Sequence, residues 1–222
     1  MNPQLHFNTK GGSVDLMSYY RPTKAVEVTQ SIKKSQFIGN SAIVNHSAQA
    51  IEFVQQIKRT HSGANHSCHC FVAALPEQSS HWGYSDDGEP KGTAGLPMFQ
   101  VLKHSGLGNI CVVVTRYFGG IKLGTGGIAR AYSSTVSLTL EQSSTELVQL
   151  RKEICLSVPF NLTGVIEHII RQSTGTQILE RTWLDNGQQL QLSIEEPSLN
   201  QFHLAISPYH RELTLLDSDK AT

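Results

Sequence analysis

The sequence predicts an α+β protein with two domains. Short apolar runs typical of strands alternate with helical periodicities along the chain. The pattern then restarts after a polar stretch, EQSSTE, at 141–146. Hydrophobic residues make up 39% of 222 residues, enough for a core in each half. We therefore place the first domain at 17–145 and the second at 146–222, and we interpret 1–16, which carries little pattern, as a disordered or tag-like extension.

The first domain should contain strands and helices in alternation. Strands are expected in KAVEVTQ, SQFIGNSAIV, HSCHCFVAAL and NICVVVT, the last a valine-rich run typical of a buried strand. Helices are expected in SAQAIEFVQQIKRT, with Ser47 as N-cap, and in LPMFQVLKHSG, with Pro97 in its first turn. A third helix, GIARAYSSTVSLTLEQ, follows a glycine-rich loop.

The second domain shows a different order of elements. Strands are predicted in QLRKEICLSVPF, TQILERTWL, QQLQLSIEE and RELTLLD, and helices in NLTGVIEHIIRQS and PSLNQFHLAIS. Asp185, Asn186 and Gly187 form a good hairpin turn between the second and third strands. The resulting order, βαββαβ, predicts a ferredoxin-like domain.

Charge and composition narrow the classes of function. The first domain has eleven Lys and Arg against seven Asp and Glu, and the second has six against ten. This asymmetry favours an anionic ligand for the first domain, although a difference this small is also compatible with chance. No apolar run reaches the roughly 18–20 residues of a membrane helix, so no membrane association is expected. Four cysteines without paired spacing favour a reducing, cytoplasmic location.

The glycine-rich loop within VVVTRYFGGIKLGTGGIARAY is the first candidate site. A strand, a glycine loop and a helix start together present free backbone N–H groups and a positive helix end to an anion. Thr125 is expected to cap the helix. The loop lacks both the P-loop and the Gly-x-Gly-x-x-Gly pattern, so nucleotide hydrolysis is poorly supported. The alternative is that the glycines serve only turns and close packing. The predicted phosphate or nucleic-acid contacts are Arg116, Gly119, Gly120, Lys122, Gly124, Thr125, Gly126, Gly127 and Arg130.

A second candidate site lies in SDDGEPKGTAG. Asp86, Asp87 and Glu89 could hold a divalent cation through oxygen ligands or handle a proton. Lys91 and Thr93 lie where a second phosphate could bind. The alternative is an ordinary Asp-Gly turn.

The segment NHSCHC is the third place where chemistry could reside. It puts His66, Cys68 and Cys70 on one face of a strand. A zinc site would need a second ligand pair, which Cys111 and Cys155 do not provide. A Cys–His nucleophile is the other alternative, but it has no recognisable local signature here. We therefore expect the cysteines to be structural, and we expect no metal and no cofactor.

These motifs resemble a known family. SQFIG, HSC, SDDGEPKGTAGLP and the glycine-loop segment are similar to the YigZ branch of the IMPACT family, over about residues 30–135. The resemblance implies a first domain with the α/β sandwich fold shared by RNase PH and the second domain of a ribosomal small-subunit protein. It also implies that the second domain resembles the last domain of elongation factor G.

The resemblance further implies nucleic-acid or ribosome binding and a role in regulating translation. Eukaryotic relatives regulate translation through an additional N-terminal domain that competes for an activator of a starvation-sensing kinase, and that partner is not expected here. RNA or the ribosome is the expected partner. One alternative is an enzyme, hydrolytic or nucleotide-using, with its site between the SDDGEP and GGIKLGTGG loops. Another is an interaction protein whose acidic second domain binds a basic partner.

Overall fold

A computed structural model describes residues 18–216 and places five helices and eleven strands in them. The predicted extension at 1–16 and the last residues, 217–222, lie outside this description. The described chain divides into two compact units, Tyr19–Val148 and a unit that begins at Gln149. No helix within 18–216 is long and apolar enough to cross a membrane.

The first part of the chain holds three helices and seven strands. The helices are α1 (Ser47–Thr60), α2 (Gly95–His104) and α3 (Thr125–Glu141). The strands are β1 (Ser18–Pro22), β2 (Val26–Ile32), β3 (Ser35–Ile43), β4 (His66–Val72), β5 (Trp82–Ser85), β6 (Ile110–Tyr117) and β7 (Thr145–Gln149).

Five of these strands form an antiparallel sheet in the order β2-β3-β6-β4-β5. On β6, Val112 and Val114 pack with residues of α2 and α3, whereas Cys111 and Val113 pack with residues of α1. Both faces of the central strand are therefore covered by helices. This explains why NICVVVT is apolar without alternation, and the prediction of a buried strand is confirmed.

Two predicted helix caps are wrong. The N-cap of α1 is His46, whose Nδ1 accepts a hydrogen bond from the Gln49 amide at 3.3 Å, and Ser47 is the first helical residue. The N-cap of α3 is Gly124, at a φ of +72°, and Thr125 makes no capping hydrogen bond. A left-handed residue at this entry favours glycine, so the glycine takes the cap position that Thr125 was expected to hold.

Three strands of the first part were not predicted. β1 and β7 pair in a two-stranded sheet, and Arg21 Nε donates to Glu146 Oε1 at 2.7 Å beside that pairing. The polar stretch EQSSTE thus runs into a strand, and the two compact units divide between Val148 and Gln149. β5 is only four residues long and contains a glycine, so its sequence gives a weak strand signal.

The second unit has the predicted βαββαβ order. It consists of β8 (Arg151–Pro159), α4 (Thr163–Gln172), β9 (Thr176–Leu184), β10 (Gly187–Glu195), α5 (Glu196–Ile206) and β11 (Thr214–Leu216). The sheet order is β11-β8-β10-β9, and the Leu184–Gly187 register closes the predicted hairpin. Leu156, Ile166 and Phe202 lie in its core.

Candidate functional site

A cavity of about 390 Å³ lies between the two glycine-rich loops of the first unit. Its walls come from the start of β4, the SDDGEP turn, the end of β6, the glycine loop and the first turns of α3. The lining residues are Asn65, His66, Glu89, Pro90, Arg116, Phe118, Lys122, Leu123, Gly124, Thr125 and Ile128.

The register of the sheet positions Arg116 in this cavity. Arg116 on β6 lies opposite Phe37 on β3 and opposite His66 on β4. Directly opposite residues of antiparallel strands point to the same face, here the face covered by α2 and α3. The guanidinium carbon of Arg116 lies 5.5 Å from the ring centre of Phe37 and 5.6 Å from that of Phe118. Two aromatic rings thus hold the planar group in a cation–π arrangement.

Arg116 and Glu89 form a buried ion pair at the cavity. Arg116 Nη1 donates to Glu89 Oε1 at 2.6 Å, and the two side chains are 7% and 3% exposed. Tyr132 Oη donates to the same carboxylate oxygen at 3.0 Å. Burial, followed by the neighbouring Cys68, raises the pKa of Tyr132 far above its usual range, so its hydroxyl keeps the proton that it donates. Oε1 of Glu89 therefore accepts hydrogen bonds from both Arg116 and Tyr132.

One buried nitrogen of Arg116 makes no hydrogen bond within residues 18–216. Its Nε is buried and finds no hydrogen-bond partner among the described residues. A buried donor without a partner is costly, so this nitrogen is an unfavourable feature of the folded protein.

Asp86 acts as a cap for the start of α2. Its Oδ1 accepts hydrogen bonds from the Ala94 and Gly95 amides at 3.0 and 2.8 Å, and its Oδ2 accepts one from the Gly92 amide at 2.7 Å. Burial raises the pKa of this carboxyl, but the three backbone hydrogen bonds together lower it below its usual value. Asp86 therefore stays ionised and is committed to the backbone.

Asp87 has separate partners. Lys58 Nζ donates to its Oδ1 at 2.5 Å, and the Ser67 amide donates to its Oδ2 at 2.6 Å. Asp87 and Gly88 both have positive φ angles, +44° and +84°, as the Asp-Gly turn requires. Over residues 18–216, no group of three or more His, Cys, Asp or Glu is placed to hold a metal ion. The three carboxylates of the predicted acidic site thus serve different structural contacts.

The glycines of the loop differ in function: some are required for packing or backbone conformation, and one leaves space for a ligand. A Cβ on Gly119 would lie 1.9 Å from the Lys34 carbonyl oxygen, so this glycine lets the loop pack on the β2–β3 turn. Gly120 and Gly124 have φ angles of +83° and +72°. By contrast, a Cβ on Gly126 would meet nothing nearer than Arg130 Nη1 at 3.5 Å. Close packing explains Gly119, while the first turn of α3 at Gly126 remains open to a ligand.

The predicted cations do not all meet at one place. Lys122 is exposed and lines the cavity with Arg116. Arg130 instead lines a second cavity of about 280 Å³, together with Gly127 and Lys33. The structure therefore separates Arg130 and Gly127 from the site at Arg116 and Lys122.

Five of the predicted phosphate contacts line neither of these cavities: Gly119, Gly120, Gly126, Lys91 and Thr93. Lys91 is exposed. Thr93 donates its hydroxyl to the Pro90 carbonyl at 2.6 Å, which closes the SDDGEP turn. Lys91 and Thr93 are therefore not part of the cavity at the glycine loop.

Sequence reasoning missed several cavity residues. Phe118 is 46% exposed at the rim, although its position between Tyr117 and the glycines could have indicated an aromatic contact. His66 was considered as a zinc ligand or as the partner of a cysteine nucleophile, but its Nδ1 lies 2.8 Å from the Asp87 carbonyl oxygen. A carbonyl can only accept, so Nδ1 carries the proton and Nε2 is left as the second ring nitrogen. Lys33 gave no sequence signal because it comes from a distant turn.

The four cysteines are free and buried. Burial raises the pKa of the Cys68, Cys70 and Cys111 thiols well above its usual range. These groups therefore stay protonated, and thiolate chemistry has no support at these three positions. The observed burial agrees with the predicted packing role.

Fold and site together define a two-unit protein of helices and antiparallel sheets whose first unit carries a cationic cavity at a helix N-terminus. The sequence profile of the Impact N-terminal domain matches residues 33–140. The IMPACT family member YvyE of Bacillus subtilis (strain 168) is 38% identical over 204 residues, which cover 92% of this chain and 90% of that protein. The IMPACT family member YigZ of Escherichia coli (strain K12) is 40% identical over 158 residues, which cover 71% and 78%.

A solved structure is similar to this chain in both sequence and fold. A crystal structure described as that of a hypothetical protein superposes with a TM-score of 0.66 at 35% identity, covering 90% of this chain and 97% of that one. This chain belongs to the IMPACT family, as a YigZ-type member.

Proposed function

We propose that this protein binds RNA or the ribosome through the cavity at the glycine loop and takes part in regulating translation in the cytoplasm. The observation that carries the proposal is the meeting of three features in one cavity: the N-terminus of α3, the exposed Lys122, and the guanidinium-bearing side chain of Arg116. Phosphate groups are bound by such a combination of backbone amides and cations.

The start of α3 suits an anion for reasons of charge and access. Its first turn contains no acidic residue, and Gly126 leaves the approach open. The unpaired amides and the helix dipole place partial positive charge there. Glu89 neutralises much of the Arg116 charge, so Lys122 and the helix end supply most of the attraction.

Family membership supports a translational role. Resemblance to the IMPACT family implies regulation of translation. We also include in the proposal the similarities of fold that this resemblance implies for each unit. These are RNase PH and a ribosomal protein for the first unit, and the ferredoxin-like last domain of elongation factor G for the second. The four buried, free cysteines suit the cytoplasm. Likeness of fold is an association and not a mechanism, so the cavity remains the physical basis.

The proposal is tested with the full chain and two ligands. Affinity for an unstructured RNA oligonucleotide and for purified ribosomal subunits is measured from about 50 to 200 mM salt. Binding that weakens steadily with salt is expected, because phosphate contacts release counterions. Failure to bind either ligand at the lowest salt would contradict the proposal.

A second candidate function is enzymatic, and one observation favours it. His66 lines the same cavity with Nδ1 fixed by the Asp87 carbonyl, which leaves Nε2 as a base. Hydrolysis of a phosphate ester there would be lost in His66→Ala. Incubation of labelled RNA and nucleotides with and without divalent cations tests this, and absence of turnover under both conditions would remove the candidate.

A further inference from the structure

We propose that the two cavities of the first unit form one track for a single strand of RNA, with a base on Phe118 and phosphates on both sides of Leu123. This inference rests on the proposed function and adds the class of nucleic acid, single-stranded rather than duplex. It also adds Lys33 and Phe118 as binding residues.

The two cavities are neighbours along the glycine loop. Leu123 lines both of them, with Lys122 on the side of the larger cavity and Arg130 on the side of the smaller. A chain that leaves one cavity therefore reaches the other across a single residue. Successive phosphates of an extended strand can occupy such adjacent sites.

The smaller cavity offers two cations from separate elements. Lys33 comes from the β2–β3 turn, where it has a φ of +46°, and Arg130 comes from α3. Both side chains are exposed, and neither forms an ion pair with another described residue. Two uncompensated cations around about 280 Å³ suit a phosphate group.

The larger cavity offers a surface for a base. Phe118 is 46% exposed beside apolar walls that include Leu123 and Ile128. Exposed aromatic rings beside a cationic groove are the usual stacking platforms for single-stranded nucleic acid. The Arg116 guanidinium against the Phe118 ring fixes that platform in place.

Depth distinguishes a single strand from a duplex. Arg116 lines the cavity and is only 6% exposed, so only a group that enters the cavity approaches its guanidinium. The bases of a duplex are paired and stacked inside the helix, whereas those of a single strand can be splayed out. A duplex can bring phosphates to Lys122 and the helix end, but it cannot fill the cavity.

The test uses a labelled 12-nucleotide oligo(U) RNA and the same strand annealed to oligo(A), with affinity measured by fluorescence anisotropy. The full chain is compared with Phe118→Leu, Lys33→Ala, Arg130→Ala and the matched control Lys24→Ala, an exposed lysine that lines neither cavity. Phe118→Leu should weaken single-strand binding roughly five- to hundredfold and leave duplex binding nearly unchanged. Lys33→Ala and Arg130→Ala should each lower the salt slope by about 0.7, and Lys24→Ala should not.

Each outcome supports or overturns the track. Equal affinity for strand and duplex, with no effect of Phe118→Leu, overturns the base site. Unchanged slopes in Lys33→Ala and Arg130→Ala, while Lys122→Ala lowers the slope, overturn the track and leave the proposed function standing. If the unmodified protein binds neither RNA, the proposed function fails and the track with it. Thermal melting confirms that each variant is folded.

Discussion

Removal of one partner from the buried pair of Arg116 and Glu89 should strongly destabilise the first unit. Arg116→Met removes the guanidinium and keeps an unbranched apolar side chain between Phe37 and Phe118. Glu89, whose side chain is 3% exposed, then keeps the hydrogen bond from the Tyr132 hydroxyl but loses the one from Arg116. Removal of one member of a buried ion pair typically costs about 3–5 kcal/mol, because the other charge stays desolvated.

The magnitude can be checked by urea unfolding of the first unit. Trp82 belongs to the first unit and Trp183 to the second, so a Trp183→Phe background makes fluorescence report on the first. With a slope of about 2 kcal/mol per M, the expected loss lowers the unfolding midpoint by roughly 1.5–2.5 M. Because removal of both charges leaves no unpaired charge, adding Glu89→Gln should restore a large part of the loss.

This prediction has a clear refutation. A loss below about 1 kcal/mol for Arg116→Met would be the size of an exposed pair, and the burial argument would be wrong. A double variant no more stable than Arg116→Met would show that packing against Phe37, and not the stranded Glu89 charge, was lost.

Three further predictions concern stability. Burial, and then the Lys58 charge, lower the pKa of His69. As pH falls, His69 binds a proton in the unfolded state before it does so in the folded state, so the free energy of unfolding should decrease below about pH 6.5. In His69→Phe the urea midpoint should depend less on pH over this range. A pH profile identical to that of the unmodified protein would contradict this prediction. Gly119→Ala should destabilise the protein by about 1–3 kcal/mol, because the new Cβ would clash with the Lys34 carbonyl. Gly126→Ala, at an open helical position, should be neutral or stabilising by up to about 1 kcal/mol. Equal effects of the two substitutions in thermal melts would contradict the assignment of Gly119 to packing and of Gly126 to an open helix start. Residues 18–148 alone should melt cooperatively, and 18–144, which lacks β7, should be less stable, as calorimetry would show; a non-cooperative melt of the longer fragment would argue against independent units.

The elements that the sequence predicted are those with a strong local pattern. The apolar run of β6, the periodicity of α1 and the βαββαβ order of the second unit all follow from neighbouring residues. β1 and β7 were missed because their pairing joins the two ends of the first unit, and neither strand carries an apolar alternation. Thr125 was misjudged as a cap because only the backbone angle at Gly124 shows which residue begins the helix turn.

The candidate site was predictable in outline. The succession of a strand, a glycine loop and a helix start is visible in the sequence and favours an anion site. The structure places Lys122 and the start of α3 at one cavity. The ion pair between Arg116 and Glu89 depends on how the SDDGEP turn packs over the sheet, and local sequence patterns do not predict that packing. Lys33 and Phe118 were missed for the same reason, since only tertiary packing brings the β2–β3 turn beside α3 and exposes one aromatic at the rim.

The most direct test of the central claim is the salt dependence of RNA binding by Lys122→Ala. Lys122 is exposed and forms no ion pair with another described residue, so its removal should leave the melting temperature unchanged. Loss of one phosphate contact should weaken binding to the oligo(U) strand and lower the slope of log K against log salt by about 0.7. Lys24→Ala, with the same change in net charge, should keep the slope of the unmodified protein. A folded Lys122→Ala protein with unchanged affinity and slope would contradict the account and return the glycine loop to a purely structural role.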